Sequence, residues 1–388
     1  MVGGIIKAVP EDVVIYVLIR LPVKSIMRFK CTSKTLYILI RSTSFSDIHL
    51  NHTTTSQDES ILFKRSFKEE ANQFKNVISF LFGVDDAGFD PLLPDLEVPH
   101  LTTDYGSIFH QLIGPCHGLI ALTDSVQTVL LNPATRHYRL LPPCPFGCPK
   151  GYHRTIEGVG FGFISILNDF KVVRISDVFW DPPYGYPEGR DSKVDIYELS
   201  TDSWRELEPV QVPRVYWLPC SEMVYQEAVH WFATIEEVVI LCFDIVTETF
   251  RNMKMPDACY SIKQSRYGLI VLNESLALIC YPDPRCAVDP TQDFIHIWLM
   301  EEYGVSETWI KKYTIQSLPI ESPLAVWKDH LLLLQSKIGQ LISYDVNSDE
   351  MKEFDLHGFP KSLRVIVFKE SLTSIPSGSE HGTRVQKF

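Results

Sequence analysis

The segment that comes closest to a nucleotide-binding pattern is the glycine-rich stretch Gly158-Val-Gly-Phe-Gly162. A phosphate-binding loop of this kind needs a third glycine one position later and a helix directly after it, because the backbone must approach the phosphates closely. Phe163 stands at that position, and no helix is indicated after it. We therefore interpret these glycines as positions where neighbouring strands pack closely.

Cys144 and Cys148, with Cys116 and His153 nearby in the sequence, could suggest a zinc site. A structural zinc site normally needs four ligands in paired spacings, and this Cys-x-x-x-Cys has no matching second pair. The sequence signatures of P-loop proteins, nucleophile-elbow hydrolases, zinc proteases and calcium loops are absent, and the twelve histidines are dispersed. We expect no catalytic residues, no metal and no cofactor.

The composition is that of a folded protein with two differently charged parts. The chain has 388 residues, of which 45% are hydrophobic and 22% charged, with a formal net charge of -12. Residues 1–50 hold seven Lys and Arg against three Asp and Glu, so they carry +4 and the remainder carries -16. An acidic body argues against a nucleic-acid ligand and favours a basic protein partner.

The sequence gives no sign of a membrane segment or of export. The apolar run from Val13 to Ile19 is too short for a bilayer span, which needs about 20 residues. A cleavage site of small residues is missing after it, and nine dispersed cysteines do not resemble a disulfide framework. We expect an intracellular protein with reduced thiols and no membrane partner.

Three short helices are predicted before residue 45. Val14, Val17, Leu18 and Leu21 recur at helical spacing between Pro10 and Pro22. A second helix is expected from Ser25 to Cys31, and Ser33 is a candidate N-cap of a third. About 40 residues rarely form a self-sufficient core, so this unit is expected to lean on a partner or on the next domain.

From about residue 56 the pattern becomes that of short strands separated by turn residues, with a loose internal repeat. Its copies are Leu131-Asn-Pro-Ala-Thr-Arg-His-Tyr-Arg, Tyr197-Glu-Leu-Ser-Thr-Asp-Ser-Trp-Arg, Phe243-Asp-Ile-Val-Thr-Glu-Thr-Phe-Arg, Tyr344-Asp-Val-Asn-Ser-Asp-Glu-Met-Lys and a degenerate copy from Trp298 to Ile310. Spacing near the 40 to 50 residues of a propeller blade predicts a mainly β protein with about six or seven blades.

Four insertions are too long for hairpins and are candidate binding loops: residues 83–104, 142–158, 181–193 and 281–292. Among the aromatic residues, Trp180, Tyr184 and Tyr186 lie in or beside the third of these loops. We expect these three at the surface and most of the other aromatic residues in the packed blades.

Val9-Pro-Glu-Asp-Val-Val and the run Leu18-Ile-Arg-Leu-Pro-Val-Lys-Ser-Ile-Met-Arg-Phe-Lys-Cys-Thr-Ser-Lys resemble an F-box, with Leu36 where plant F-boxes of this type usually carry Trp. The resemblance implies docking on a Skp-type adaptor, and through it on the cullin and RING subunits of a ubiquitin ligase. Its adaptor-facing or supporting residues would be Pro10, Asp12, Leu18, Leu21, Pro22, Val23, Ile26 and Phe29.

The body resembles plant F-box-associated domains, which are Kelch-like β-propellers, at Leu131-Asn-Pro-Ala-Thr-Arg, Gly160-Phe-Gly-Phe and Tyr197-Glu-Leu-Ser-Thr-Asp-Ser-Trp. Gly114-Pro-Cys-His-Gly-Leu-Ile and Pro145-Phe-Gly-Cys-Pro-Lys-Gly-Tyr-His-Arg are similar to pollen S-locus F-box proteins of self-incompatibility. This second resemblance implies a cytoplasmic substrate receptor in the pollen tube that binds non-self S-ribonucleases for ubiquitination.

The domain organisation expected from these patterns is an F-box at 1–50, a substrate-binding propeller at 51–370 and a disordered tail at 371–388. Substrate contacts are expected from the loops and from acidic or aromatic residues in or beside them, namely Asp85, Asp86, Asp90, Asp181, Tyr184, Tyr186, Glu188 and Asp191. Two alternatives stay open: an F-box receptor for an unrelated plant protein, and a propeller lectin or enzyme whose F-box regulates its turnover.

Overall fold

The structure is a computed structural model, and it describes most of the chain. The described residues are 9–55, 60–70, 72–84, 88–97, 110–124, 127–180, 188–207, 212–215, 222–260, 265–283, 285, 294–305, 308–316, 318–375 and 386–387.

The N-terminal unit consists of four helices: α1 (Glu11–Leu18), α2 (Val23–Phe29), α3 (Lys34–Arg41) and α4 (Thr43–Thr55). The first three agree with the sequence prediction, and the predicted cap is present, since the Ser33 hydroxyl accepts a hydrogen bond from the Leu36 N–H at 3.2 Å. A short helix, α5 (Asp257–Tyr260), interrupts the β region. In the described part of the chain, every helix is too short or too polar to cross a bilayer.

The remainder of the described chain is built of strands. In chain order they are β1 (Ser60–Glu70), β2 (Gln73–Val84), β3 (Gly88–Glu97), β4 (Gln111–Cys116), β5 (Leu119–Thr123), β6 (Thr128–Asn132), β7 (His137–Leu140), β8 (Tyr152–Ile164), β9 (Asp169–Trp180), β10 (Glu188–Glu198), β11 (Ser203–Glu206), β12 (Arg214–Val215) and β13 (Glu222–Tyr225). They continue as β14 (Ala228–Thr234), β15 (Val238–Asp244), β16 (Thr249–Met253), β17 (Ser265–Leu272), β18 (Ser275–Pro282), β19 (Phe294–Met300), β20 (Trp309–Gln316), β21 (Ile320–Trp327), β22 (Leu331–Ser336), β23 (Gln340–Asp345), β24 (Glu350–His357), β25 (Arg364–Phe368) and β26 (Gln386–Lys387).

These strands form six antiparallel sheets, which are the six blades of a β-propeller. Blade 1 is β25-β1-β2-β3, blade 2 is β4-β5-β6-β7 with β26 at its edge, and blade 3 is β8-β9-β10-β11. Blade 4 is β14-β15-β16 with β12 and β13 on the inner side, blade 5 is β17-β18-β19-β20, and blade 6 is β21-β22-β23-β24. The predicted mainly β propeller with a helical N-terminal unit is confirmed, with six blades.

The ring is closed by β25, a strand from late in the sequence. β25 pairs with β1 in the register Ile61 to Val367, so the innermost strand of blade 1 comes from the other end of the sequence. This pairing satisfies backbone groups that an open edge would leave exposed.

The internal repeat corresponds to the hairpin between the two outer strands of a blade. In four blades the fifth residue of the turn has a left-handed backbone, with φ of 56° at Arg136, 52° at Asp202, 56° at Glu248 and 59° at Asp349. Side-chain acceptors at the first turn position hold three of these turns, since Asn132 accepts from the Thr135 N–H at 3.1 Å and Asp244 accepts from the Thr247 N–H at 2.7 Å. Asp345 likewise accepts from the Asn347 N–H at 2.8 Å. The repeat therefore encodes one turn geometry.

Two predicted boundaries differ from the structure. The boundary at residue 50 falls inside α4, whose sequence Thr43–Thr55 is too polar to show an apolar period. The tail predicted to be disordered from residue 371 begins with packed residues, because Ser371 is fully buried, and Leu372 and Ile375 are buried as well. Polar composition suggested a tail, but Leu372 packs with the helices and Ile375 packs into the propeller core. Residues 376–385 and 388 of that tail lie outside the described residues.

The glycine-rich segment packs blade 3 against blade 4, as expected. An added Cβ at Gly160 would lie 2.7 Å from a methyl carbon of Val229 and 2.9 Å from the indole of Trp231. Trp231 is fully buried, and its indole N–H donates to the Val159 carbonyl at 3.2 Å. Glycine is therefore needed here for close approach and not for phosphate binding.

Gly160→Ala should lower the free energy of unfolding by about 1–3 kcal/mol, because the new methyl group overpacks a fully buried contact. Chemical denaturation followed by Trp fluorescence measures the change. Gly147→Ala is the matched control, since nothing lies within 4 Å of a Cβ at Gly147. Equal stability of the two variants would contradict this account of the segment.

Candidate functional site

The helical unit has a small core that includes part of the propeller. Leu18, Val23, Ile26, Ile40 and Phe45 are buried together, and Leu372 from the end of the chain packs into the same cluster. Leu18, Val23 and Ile26 were predicted to build or support a partner-facing surface. Their burial places them inside the unit, where they can position that surface but are not exposed on it.

The other predicted residues of this surface lie further out. Pro10, Asp12, Pro22 and Phe29 are exposed, with Phe29 at 43%, and Leu21 is half-buried. The sequence prediction therefore mixes exposed positions with core positions.

Sequence reasoning missed several exposed apolar side chains of the same helices. They are Val13, Tyr16, Val17, Tyr37 and Ile38, each more than 40% exposed and Ile38 at 70%. The sequence does contain a signal for them. These apolar residues occupy faces of α1 and α3 that differ from the face of the buried residues of the same helices. Large apolar groups gathered on a small unit mark an interaction surface.

The helical unit is seated on the propeller by the segment after β25. The Glu370 carboxylate accepts a hydrogen bond from the Val23 N–H at 2.9 Å, at the N-terminus of α2. The Asn132 side-chain amide donates to the carbonyls of Ser371 at 3.1 Å and Thr373 at 2.7 Å. We call residues 369–375 the strap. It fixes the helices to the turn between β6 and β7.

Burial dominates the electrostatics of Glu370. It raises the pKa of this carboxyl, and the hydrogen bond from the Val23 N–H lowers it in part. The charged form is therefore less favourable here than in water, although it still satisfies an N–H group that α2 leaves free.

The helices lie at one face of the propeller, and the strands that flank most of the predicted binding loops adjoin those loops at the opposite face. The turns that follow the inner strands gather on the side of the helices: the His117 ring packs against Phe163 with centroids 3.8 Å apart and the planes tilted by 38°, and the Tyr225 hydroxyl donates to the Glu274 carbonyl at 2.8 Å. We call this side the F-box face, because it carries the predicted F-box, and the other side the distal face. Neighbouring strands of a blade are antiparallel. The strand before and the strand after each of the segments 98–109, 141–151, 181–187 and 284–293 therefore adjoin that segment at the distal face.

The predicted substrate residues are not brought together. Asp85, Asp86, Asp181, Tyr184 and Tyr186 lie outside the described residues. Asp90 is in β3 near the F-box face, whereas Glu188 and Asp191 are in β10 near the distal face. Asp191 is exposed, with its carboxylate 3.6 Å from the Lys193 amine. The predicted acidic set is therefore divided between the two faces.

Two aromatic residues lie at the end of blade 3 that belongs to the distal face. Trp180 is 40% exposed and Tyr152 is 43% exposed, and the two pair across β8 and β9. The surface position expected for Trp180 is confirmed. Exposed aromatic pairs of this kind are common in protein-binding surfaces.

Many acidic residues of the distal face are already neutralised within the chain. Asp283 is 3.3 Å from Arg266 and 2.5 Å from Arg285, and hydrogen bonding from Arg285 holds the pKa of its carboxyl well below the usual range. By contrast, Glu236 and Glu237 in the turn between β14 and β15 are exposed and have no ion-pair partner among the described residues. They are acidic candidates that sequence reasoning did not select.

The zinc alternative gains no support from the geometry. The Cys144 thiol lies 3.5 Å from Asp195, whereas the Cys148 thiol lies 3.0 Å from the Tyr152 carbonyl. Within the described ranges, no group of three or more His, Cys, Asp or Glu residues could hold a metal ion. These cysteines have local hydrogen-bond partners in the loop before β8.

The architecture is that of a six-bladed propeller with a helical unit on one face, and the family matches say which class of protein it is. The chain belongs to the F-box associated β-propeller domain family, whose model matches residues 91–375, and an F-box domain matches residues 6–47. This pairing is that of a substrate-recognition subunit of an SCF-type ubiquitin ligase, which binds a Skp-type adaptor and a substrate and is not itself catalytic.

The chain is also similar to curated plant proteins over nearly its full length. It is 25% identical to the F-box protein CPR1 of Arabidopsis thaliana, with 98% of this chain and 92% of the relative covered. It is 25% identical to the Arabidopsis thaliana F-box protein At3g07870, with 96% and 93% covered. Among solved structures, an oligogalacturonate lyase in complex with manganese aligns with a TM-score of 0.40 and 10% identity, covering 75% of this chain and 77% of that one.

Val17→Glu and Ile38→Glu should each weaken adaptor binding at least tenfold, because a charge would be placed in a surface that the adaptor must desolvate. Binding of purified Skp-type adaptor by calorimetry measures the effect. Ile166→Glu is the control, since Ile166 is 82% exposed but lies in the turn between β8 and β9. If all three variants bound the adaptor equally, the exposed patch would not be the docking surface.

Glu370→Ala should lower the free energy of unfolding by about 1 kcal/mol, because the Val23 N–H loses its acceptor. Glu370→Gln keeps an oxygen acceptor without the charge, so its stability should equal or exceed that of the wild type at about pH 7.5. The folded-state pKa of Glu370 is raised. The free energy of unfolding of the wild type should therefore increase relative to that of Glu370→Gln as the pH falls through the folded-state pKa toward the ordinary carboxyl pKa. Denaturation curves at several pH values check this, and an opposite trend would contradict the burial argument.

Proposed function

We propose that this protein binds non-self S-ribonucleases in the cytoplasm of the pollen tube and presents them to an SCF-type ligase for ubiquitination. The resemblance of the motifs at residues 114–120 and 145–154 to pollen S-locus F-box proteins supports this substrate. The charge supports it too, because the chain outside residues 1–50 carries a formal -16 and would attract a basic protein by long-range steering.

The geometry supports a receptor that holds two proteins at once. The F-box helices leave an apolar patch exposed beside one face of the propeller, and the strands flanking three predicted binding loops and the end of a fourth meet at the distal face. We propose that the patch, together with Pro10, Asp12, Leu21, Pro22 and Phe29, contacts the adaptor, and that Leu18, Val23 and Ile26 support it. The cullin and RING subunits would join through the adaptor.

In this proposal the protein performs no bond chemistry. It places lysines of the bound ribonuclease near the charged ubiquitin-conjugating enzyme, and its contribution is proximity and orientation. A rigid connection favours that role, and the strap supplies one through Glu370, Leu372 and the Asn132 hydrogen bonds.

The substrate surface is proposed to include Asp191, Glu236 and Glu237 with the aromatic pair Tyr152 and Trp180. The combined Glu236→Lys and Glu237→Lys variant should weaken S-ribonuclease binding about tenfold and slow association, because it reverses unpaired charge on the distal face. Surface plasmon resonance against a panel of S-ribonucleases measures both effects. Glu274→Lys is the matched control, since Glu274 is exposed in a turn at the F-box face.

Steering also predicts that association with the wild type slows as salt rises, since the Debye length is about 8 Å at 0.15 M ionic strength. An adaptor-bound receptor that binds none of the ribonucleases would overturn the proposed substrate and favour an unrelated plant protein. Turnover or tight binding of a small sugar by the protein would favour the lectin or enzyme alternative.

A further inference from the structure

A cleft of about 740 Å³ separates α2 from the F-box face of blades 1 and 2. The buried rings of Phe80 and Phe368 and the buried Pro133 form its floor, and Met27 and Ala134 form its walls. Its volume is that of a small-molecule site, and such sites are commonly found where two domains meet.

Three cationic side chains stand around this apolar floor. Lys24 and Arg28 come from α2, and Arg136 comes from the turn between β6 and β7. None of the three side chains has an ion pair or a hydrogen bond with any residue that the structure describes. Glu370 also lines the cleft, but its carboxylate is engaged by the Val23 N–H.

The positive charge around the cleft contrasts with the rest of the chain. The chain as a whole carries -12, and several other cations of the propeller, such as Arg139, Lys171 and Arg205, are paired with carboxylates. Three cations without partners next to a buried apolar floor complement a ligand with an acidic group and an apolar body.

The proposed adaptor surface leaves the cleft accessible. Lys24, Met27, Arg28 and Cys31 line the cleft and recur at helical spacing on one side of α2. Phe29 projects to the other side, because successive residues of an α-helix are turned by about 100°. Adaptor contact at Phe29 and ligand contact at Arg28 therefore use different sides of the same helix.

We propose that this cleft binds a small organic anion, a carboxylate on an aliphatic or aromatic skeleton. The apolar body lies on Phe80, Phe368 and Pro133, and the acidic group is held by Arg28 and Arg136 with Lys24 nearby. Because Arg28 and Arg136 belong to different modules, the bound anion bridges the F-box and the propeller. This site shares Pro22 with the proposed adaptor surface and is otherwise separate from the adaptor and substrate surfaces proposed above.

Ligand-observed NMR with the full chain tests the proposal, with decanoate below its micellar concentration as the probe. Decanoate should bind one saturable site, and decanol, which has the same body without the charge, should bind at least tenfold more weakly. Arg28→Gln and Arg136→Gln should each weaken decanoate binding about tenfold, the typical effect of losing one charge-assisted hydrogen bond. Lys337→Gln, at an exposed cation of the distal face, should leave it unchanged.

Thermal unfolding and adaptor binding are measured on each variant, so that loss of the probe is not confused with loss of the fold. Equal binding of decanoate and decanol, or equal weakening by Lys337→Gln, would overturn the proposal. Tighter binding of a hexaglutamate peptide than of decanoate would also overturn it, and would assign the cations to an acidic protein segment.

Discussion

The pairing of β25 with β1 is the interaction on which the rest of the molecule depends. Without this pairing, blade 1 would have an unpaired edge at β1. Leu62 and Ile366, which are buried in the closed ring, would then be exposed. Closing the ring joins distant parts of the chain, which carries an entropic cost that the new backbone and side-chain contacts must offset. β25 ends at the F-box face, so the next residues reach Glu370 and Leu372 directly. One short segment therefore both closes the ring, through β25, and holds the helices, through the strap.

The two faces of the propeller carry different chemistry. At the F-box face, the apolar patch of the helices and the cleft cations face outward, whereas the buried core of the unit is shared with the strap. At the distal face, carboxylates such as Asp283 are paired with arginines of the same chain. Total charge is thus a poor guide to where a basic partner binds, because carboxylates such as Glu236 and Glu237, which have no ion-pair partner in the described part of the chain, are more available than paired ones.

The sequence predicted the features that repeat or that follow a local rule. Turns with a left-handed fifth residue, such as those at Asp202 and Glu248, produced the repeat from which the propeller was inferred, and Ser33 was correctly placed as a cap. The glycines beside Trp231 were also interpreted correctly. The remainder depends on contacts between distant residues. Burial of Val23 and Ile26 is decided by how α2 meets α1, α3 and Leu372, and the strap has no periodicity that distinguishes it from a polar tail.

The strap also affects when the receptor becomes functional. The F-box helices are synthesised before the residues that seat them, because Glu370 lies 347 residues after Val23 in the sequence and Leu372 lies further on. A nascent or truncated chain can expose the F-box helices yet cannot hold them on a closed ring. A fixed position of the helices on the propeller is therefore available only after the strap has been synthesised.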